Sequence, residues 1–491
     1  MKVIEHGKAD PQSGEARTGH ARVADVLEAL ALRDGEEPWG VRELAESLGE
    51  SRSTVNRILV GLTQLELARE HTSGKYGPGA KLKVLADAVL RRDPFMREAR
   101  RALRSMSMEQ DVTYVLALYD PTRRSYFRAI SCEPATAFRY QTALGLLRPL
   151  SADFDGWAIA GYLGSGEAHW PHQVQRGGAS GSAVGCVVFR SAVGHVATIT
   201  AYRSQSQSST GPDPRIDETL LHARQTLAEV VDRTPPTRPA IACDLERSAI
   251  SRTIGLLMFL AGHPGGIRAN KKLYDALLVS ENAGRRLIAS ALACGSAIVA
   301  GDGTLHPGPQ LLRIAARLGL ISRRFDLIRP ILKELVTATG ETIGFVTYRG
   351  DTATAQIEET LSGWRPVQYR LETGVDIALY AGAAGKAVLA YCPEETISSQ
   401  KLVKLTPNTP SDRERLKQEL QTIRDRGWAS GDGERIPDAF GVAVPYFIDG
   451  SIAGSVTATI PRDRKMEVDV PSIVSAMKEA SRQISRLLSI Q

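Results

Sequence analysis

The chain of 491 residues has few features of an enzyme or a membrane protein. Its longest apolar runs fall short of the roughly 20 residues that a membrane-spanning helix requires. The segment from Met1 to His20 is polar and charged and carries no apolar signal core, so the expected compartment is the cytoplasm. Five cysteines (Cys132, Cys186, Cys243, Cys294 and Cys392) are scattered, odd in number and never spaced Cys-x-x-Cys. They read as reduced thiols, with neither a disulfide framework nor a zinc site expected. All nine histidines lie at or before His306, so the last third of the chain has none for a triad or a His-rich metal centre. No Gly-x-Ser-x-Gly elbow, Walker loop or His-Glu-x-x-His motif occurs. The acidic pairs Glu358-Glu359 and Glu394-Glu395 are most simply solvated. No catalytic residue, metal site or cofactor is therefore expected.

What the chain does contain is a match to itself. Arg57-Ile58-Leu59 recurs as Arg286-Leu287-Ile288, Pro78-Gly79 as Pro307-Gly308, Gly145 as Gly374 and Gly156 as Gly385, all at an offset of 229. Repeat arrays have periods of roughly 20 to 50 residues, so one long unit present twice reads as two tandem copies of a whole protein. The final strands match at an offset of 257 instead, as Thr200 and Thr457 do. The difference of 28 places a deletion in the first copy between Ala160 and Gly185, where the second has Thr396 to Trp428.

Within the first copy, Val23, Val26, Leu27 and Leu30 mark one amphipathic helix, and Val41 to Leu48 a second, short one. Gly49-Glu50-Ser51 is a turn, with Ser51 as candidate cap of a third helix from Arg52 to about Leu65. Leu67 to Tyr76 reads as a hairpin bent at Thr72-Ser73-Gly74. That order is a winged helix-turn-helix. A connecting helix follows, then a mixed order of helices and strands that suggests an α+β domain on one antiparallel sheet. The expected domains are 21–80, a first winged helix-turn-helix, and 81–232, a first α+β domain. A proline-rich linker, 233–247, then leads to 248–312, a second winged helix-turn-helix with a degenerate motif, and 313–491, a second α+β domain.

In such a motif the third helix enters the DNA major groove. Arg52, Ser53, Thr54, Asn56 and Arg57 occupy its outer face, and Lys75 on the hairpin is placed to reach a phosphate. In the second copy Gly284 replaces Val55 and Glu281 replaces Arg52, while Arg285 and Arg286 remain. Charge points the other way: residues 21–83 hold nine Lys/Arg and ten Asp/Glu, but residues 250–312 hold six and three. Base reading by the first copy, with backbone contacts or dimerisation from the second, reconciles the two. A scaffold or ligand sensor that binds no DNA stays open as the alternative.

These residues resemble the IclR family of bacterial transcription regulators, which join a winged helix-turn-helix to a GAF-like effector-binding domain. The first copy carries the resemblance in Ser53 to Leu59 and Lys75-Tyr76-Gly77-Pro78-Gly79. The second carries it in Gly374, Ala383 to Ala390, Gly427-Trp428, Asp432-Gly433-Glu434, Gly441 to Pro445 and Thr457 to Pro461. The resemblance implies double-stranded DNA and a small organic acid as partners, and a homo-oligomer, here a dimer of tandem chains. It implies an effector site around Ala383, Ala384 and Gly385, where small residues leave helix N–H groups open to an anion. Asp432, Thr457 and Thr459 are carried over as polar contacts, Glu434 as a loop anchor, and Leu371 and Phe440 as apolar walls. The chain departs from the family at Gly441, where Cys, Ser or Ala is frequent. In the first copy, Asp153-Phe154-Asp155 stands where the second has Gly382-Ala383-Ala384, so that effector domain is expected to be structural, dimerising or selective for another ligand.

Overall fold

A computed structural model describes residues 18–33, 37–71, 74–110, 112–134, 140–165, 169–170, 182–203, 213–230, 248–321, 324–350, 353–367, 369, 371–374 and 376–489. The hairpin tip Thr72-Ser73, the Ser/Gln-rich stretch from Ser204, the proline-rich linker and Cys243 lie outside them. The chain divides into two compact units, Met1–Ile321 and Ser322–Gln491.

The first unit opens with helices Gly19–Leu32, Val41–Leu48 and Arg52–Gln64. The third begins where its cap dictates: the Ser51 side chain accepts the Thr54 N–H at 3.2 Å. Val55, Ile58, Leu59 and Leu62 fall on one stripe and are buried. Strands Trp39–Gly40, Lys75–Pro78 and Ala68–His71 form the wing, in that order. A second set has the same order: helices Ala249–Gly262, Lys271–Ala276 and Glu281–Ala293, and strands Ile267–Arg268, Thr304–Pro307 and Ala297–Val299. Helices Ala80–Arg92 and Pro309–Ile321, one after each wing, pack on each other. They touch so closely that a Cβ at Gly319 would lie 2.3 Å from Leu90 Cδ1. The expected boundary at 313 thus falls inside a helix that belongs to the first unit. The reason is that Leu311, Leu312, Ile314, Ala315, Ala316 and Leu318 are all buried there.

The rest of the first unit is a six-stranded antiparallel sheet in the order Arg148–Pro149, Ser125–Cys132, Thr113–Asp120, Val196–Arg203, Ser182–Arg190, His169–Trp170. Helix Phe154–Ser165 packs on strands Ser182–Arg190 and Val196–Arg203.

The second unit is also built on a six-stranded antiparallel sheet: Asp376–Ile377, Thr354–Leu361, Thr342–Arg349, Ser451–Pro461, Ala439–Ile448, Ala429–Asp432. One face is covered by helices Arg324–Thr339 and Val470–Leu488, through a core that includes Leu332, Phe440, Val456, Ile460 and Met477. The other face packs on Ala383–Leu389 and Arg413–Arg426 through Ile377, Val388, Leu420 and Ala443. Both sheets carry a register shift at the same place, between Leu116 and Ala117 in one and between Phe345 and Val346 in the other.

Candidate functional site

The recognition helix Arg52–Gln64 presents its polar residues outward. Arg52, Ser53, Asn56 and Arg57 are exposed, as is Lys75 on the wing, and Thr54 is half-buried. In the second winged helix, Arg285 and Arg286 are exposed, with Arg285 held 2.5 Å from Glu281. Gly284 has a physical explanation that the sequence alone does not suggest. A Cβ there would stand 2.2 Å from the Tyr274 ring. Tyr274 lies 229 residues after Ala45 and Gly284 lies 229 after Val55. The glycine makes room for the Tyr274 ring.

The two winged helices are joined by a buried polar contact. Glu28, on Gly19–Leu32, pairs with Arg313, on Pro309–Ile321, and accepts a hydrogen bond from Gln310 Nε2 at 2.8 Å. Ser296 donates to Gln310 Oε1 at 2.7 Å, and His20 Nε2 lies 3.3 Å from Ser296 Oγ. Burial holds the His20 imidazole down at about 4 and brings Arg313 down to about 10, with Asp25 acting to raise the latter.

The second unit contains a pocket with about 490 Å³ of empty space, open solvent at its mouth included. It lies on the sheet face that carries Ala383–Leu389. Ala383, Ala384 and Gly385 line it, with Glu434, Thr457, Thr459 and Leu371. Gly385 has no room for a side chain, since a Cβ would sit 2.1 Å from the Ala378 carbonyl oxygen. Glu434 anchors the loop: its carboxylate accepts the Gly382 N–H at 2.8 Å and pairs with Lys386 Nζ at 2.6 Å. Lys386 is fully buried and also pairs with Glu419. The Thr457 hydroxyl donates to the Val442 carbonyl at 3.2 Å.

Two expected residues stand elsewhere, and strand parity explains both. Side chains alternate across a strand, so with Gly441 lining the pocket, Phe440 turns to the opposite face and joins the core under Val470–Leu488. With Gly431 lining the pocket, Asp432 likewise turns away. It is held by Lys465 Nζ at 2.7 Å and Arg462 Nε at 2.8 Å, and Lys465 lowers its pKa.

Among the pocket residues absent from the sequence-based expectation, Arg435 is the charged one. Arg435 lines the cavity and has no ion-pair partner among the described residues. Its burial holds the guanidinium below its usual range, while Tyr369 acts in the opposite sense. An arginine stays charged at neutral pH and offers a planar fork of donors that matches a carboxylate. It sits in a loop without periodicity, so only its place beside Glu434 hinted at a role.

Residues 324–486 match the family model described as the bacterial transcriptional regulator IclR C-terminal domain, and residues 21–71 match the IclR helix-turn-helix domain. The HTH-type transcriptional regulator BhcR of Paracoccus denitrificans is 30% identical over 193 residues, which cover 37% of this chain and 66% of that protein. The HTH-type transcriptional regulator Rv1719 of Mycobacterium tuberculosis is 31% identical over 188 residues, 37% of this chain and 69% of that protein. Among solved structures, an IclR-family transcriptional regulator from Rhodococcus sp. is similar at 26% identity and a TM-score of 0.37, covering 51% of this chain and 97% of its own. The chain belongs to the IclR family of bacterial transcriptional regulators.

Proposed function

We propose that this chain is two fused regulator units in tandem, acting in the cytoplasm, and that it binds double-stranded DNA through both winged helices under the control of one small organic acid. The observation that carries the reading is the pair of winged helices packed together inside one compact unit, each with an exposed polar recognition helix. Equal strand orders and the shared register shift support the duplication. Covalent linkage keeps two recognition helices at high effective concentration. The buried lock strengthens that pairing on one side only. The positions 229 residues from Glu28 and Arg313 are Leu257 and Val84, which are apolar.

In the first winged helix, Arg52, Ser53, Thr54, Asn56 and Arg57 read bases and Lys75 holds a phosphate. In the second, Arg285 and Arg286 supply backbone contacts. The effector enters the second unit's pocket with its carboxylate on Arg435 and its apolar body against Ile357, Leu371 and Ile377. Binding changes DNA affinity only if the acid favours one arrangement of the chain over another. Dimers of tandem chains would then read a palindrome.

The test is selection of genomic fragments by the full chain over a salt series, with the Arg52→Ala/Asn56→Ala/Arg57→Ala variant alongside. Sequence-specific binding lost in the variant supports the reading. One chain on an asymmetric fragment, counted by native mass, supports the pseudo-dimer, and two chains on a palindrome overturn it in favour of the dimer of tandem chains. The excess of acidic residues in the first winged helix favours one competitor, a sensor scaffold that binds no DNA. The absence of any selected fragment would establish that competitor instead.

A further inference from the structure

Strand register shows which residues of the first unit stand at the positions that line the second unit's pocket. Ile357 pairs with Val346 just past the register shift, and Arg128 pairs with Ala117 just past the equivalent one. Thr457 pairs with Gly344 and Thr459 with Thr342, while Thr200 pairs with Val115 and Tyr202 with Thr113. Leu371 and Ala384 lie 229 residues after Thr142 and Asp155. Five pocket-lining positions of one sheet are thus Arg128, Thr142, Asp155, Thr200 and Tyr202 in the other.

These five form one buried network. The Arg128 side chain is 2% exposed and Asp155 is fully buried. Arg128 Nε donates to Asp155 Oδ2 at 2.7 Å. Its Nη1 donates to Tyr140 Oη and Thr142 Oγ1, each at 2.6 Å, and its Nη2 to Asp153 Oδ2 at 3.0 Å and Tyr202 Oη at 2.9 Å. All five guanidinium N–H donors are thereby used. The other Asp155 oxygen accepts from Thr200 Oγ1. Asp155 stands in the first turn of helix Phe154–Ser165, with its carboxylate turned to the residues that occupy pocket-wall positions.

We infer that the first sensor is permanently self-liganded: the Asp155 carboxylate, clamped by Arg128 and Thr200, takes the place of an effector carboxylate and fills the cavity that the second sensor keeps open. The first sensor then holds its occupied form without any effector, and the chain's response rests on the second pocket alone. This inference rests on the tandem reading above, but its test needs no DNA, so the two can fail separately.

The test is chemical rescue of the full chain. Asp155→Ala leaves a carboxylate-sized hole beside a buried guanidinium and should lower the melting of the first unit by roughly 10 °C. Added acetate, compared with chloride at equal ionic strength, should restore much of that loss and saturate, with hydrogen-exchange protection returning in strand Val196–Arg203. Wild type and the Arg128→Ile/Asp155→Ala variant should not respond to acetate. If Asp155→Ala does not fold in chloride, refolding in acetate replaces the thermal scan: recovery supports the inference and no recovery overturns it. Wild-type stability in the variant, or equal acetate effects on variant and wild type, also overturns it.

Discussion

The two six-stranded sheets share strand order and register shift yet treat the space beside the sheet in opposite ways. In the second, small residues and aliphatics leave a cavity whose half-buried arginine, Arg435, has no ion-pair partner among the described residues. In the first, Arg128 and Asp155 stand at the positions that correspond to Ile357 and Ala384 and pair with each other, with Asp153 as a second carboxylate on the arginine. One scaffold therefore yields an open receptor or a filled core, depending on whether the partner of the cation comes from solution or from the chain. On the tandem reading proposed above, a duplicated sensor would lose its ligand without losing its fold, provided that every buried donor keeps an acceptor.

The sharpest way to break the comparison is a double-mutant cycle on Arg128 and Asp155. Truncating Arg128 leaves the buried Asp155 carboxylate without its cation, and truncating Asp155 leaves Arg128 with Asp153 as its remaining carboxylate; each should cost about 3 to 5 kcal/mol, whereas Arg128→Ile/Asp155→Ala should cost clearly less than the two added together. Denaturant unfolding followed by hydrogen exchange in the first unit reads both. Additive single effects would show that the pair is not coupled.

Acid should separate the two units next. Burial keeps His20 and His195 down at about 4, from an ordinary 6.5, with His306 also lowering His195. The unfolded chain then binds more protons than the folded one between those values. Stability is complete above about 6.5 and is lost as pH falls toward 4, by about 3 kcal/mol for each group. Residues 322–491 contain no histidine and lack this contribution. Unfolding monitored per unit at pH 7 and pH 5 should show the first unit losing more, and His20→Gln should reduce the difference.

A smaller effect tests the second winged helix. Gly284→Val should clash with Tyr274 and cost about 1 to 3 kcal/mol, and adding Tyr274→Ala should recover most of it. No recovery in the double variant would return Gly284 to a plain loss of helix propensity.

Much of this architecture was legible in the sequence because it is periodic or capped. The stripe Val55, Ile58, Leu59, Leu62 and the Ser51 cap gave the recognition helix within a residue of its observed ends. The offsets of 229 and then 257 matched strand to strand between the two sheets before any register was known. The rest depends on contacts between distant residues. Phe440 and Asp432 were adjacent in sequence to true pocket residues but on the wrong side of a pleat. Arg435 had no pattern to mark it. Gly284 read as an isolated departure until its contact with Tyr274 accounted for it. The network around Arg128 joins residues up to 74 positions apart in a strand that otherwise reads as apolar.

The measurement that bears most directly on the asymmetry is equilibrium binding of a panel of small organic acids, benzoate among them, to the full chain and to Arg435→Ala. The account predicts acids that bind at one site per chain and lose that site in Arg435→Ala. Two sites per chain, or one site that survives the substitution, would contradict it.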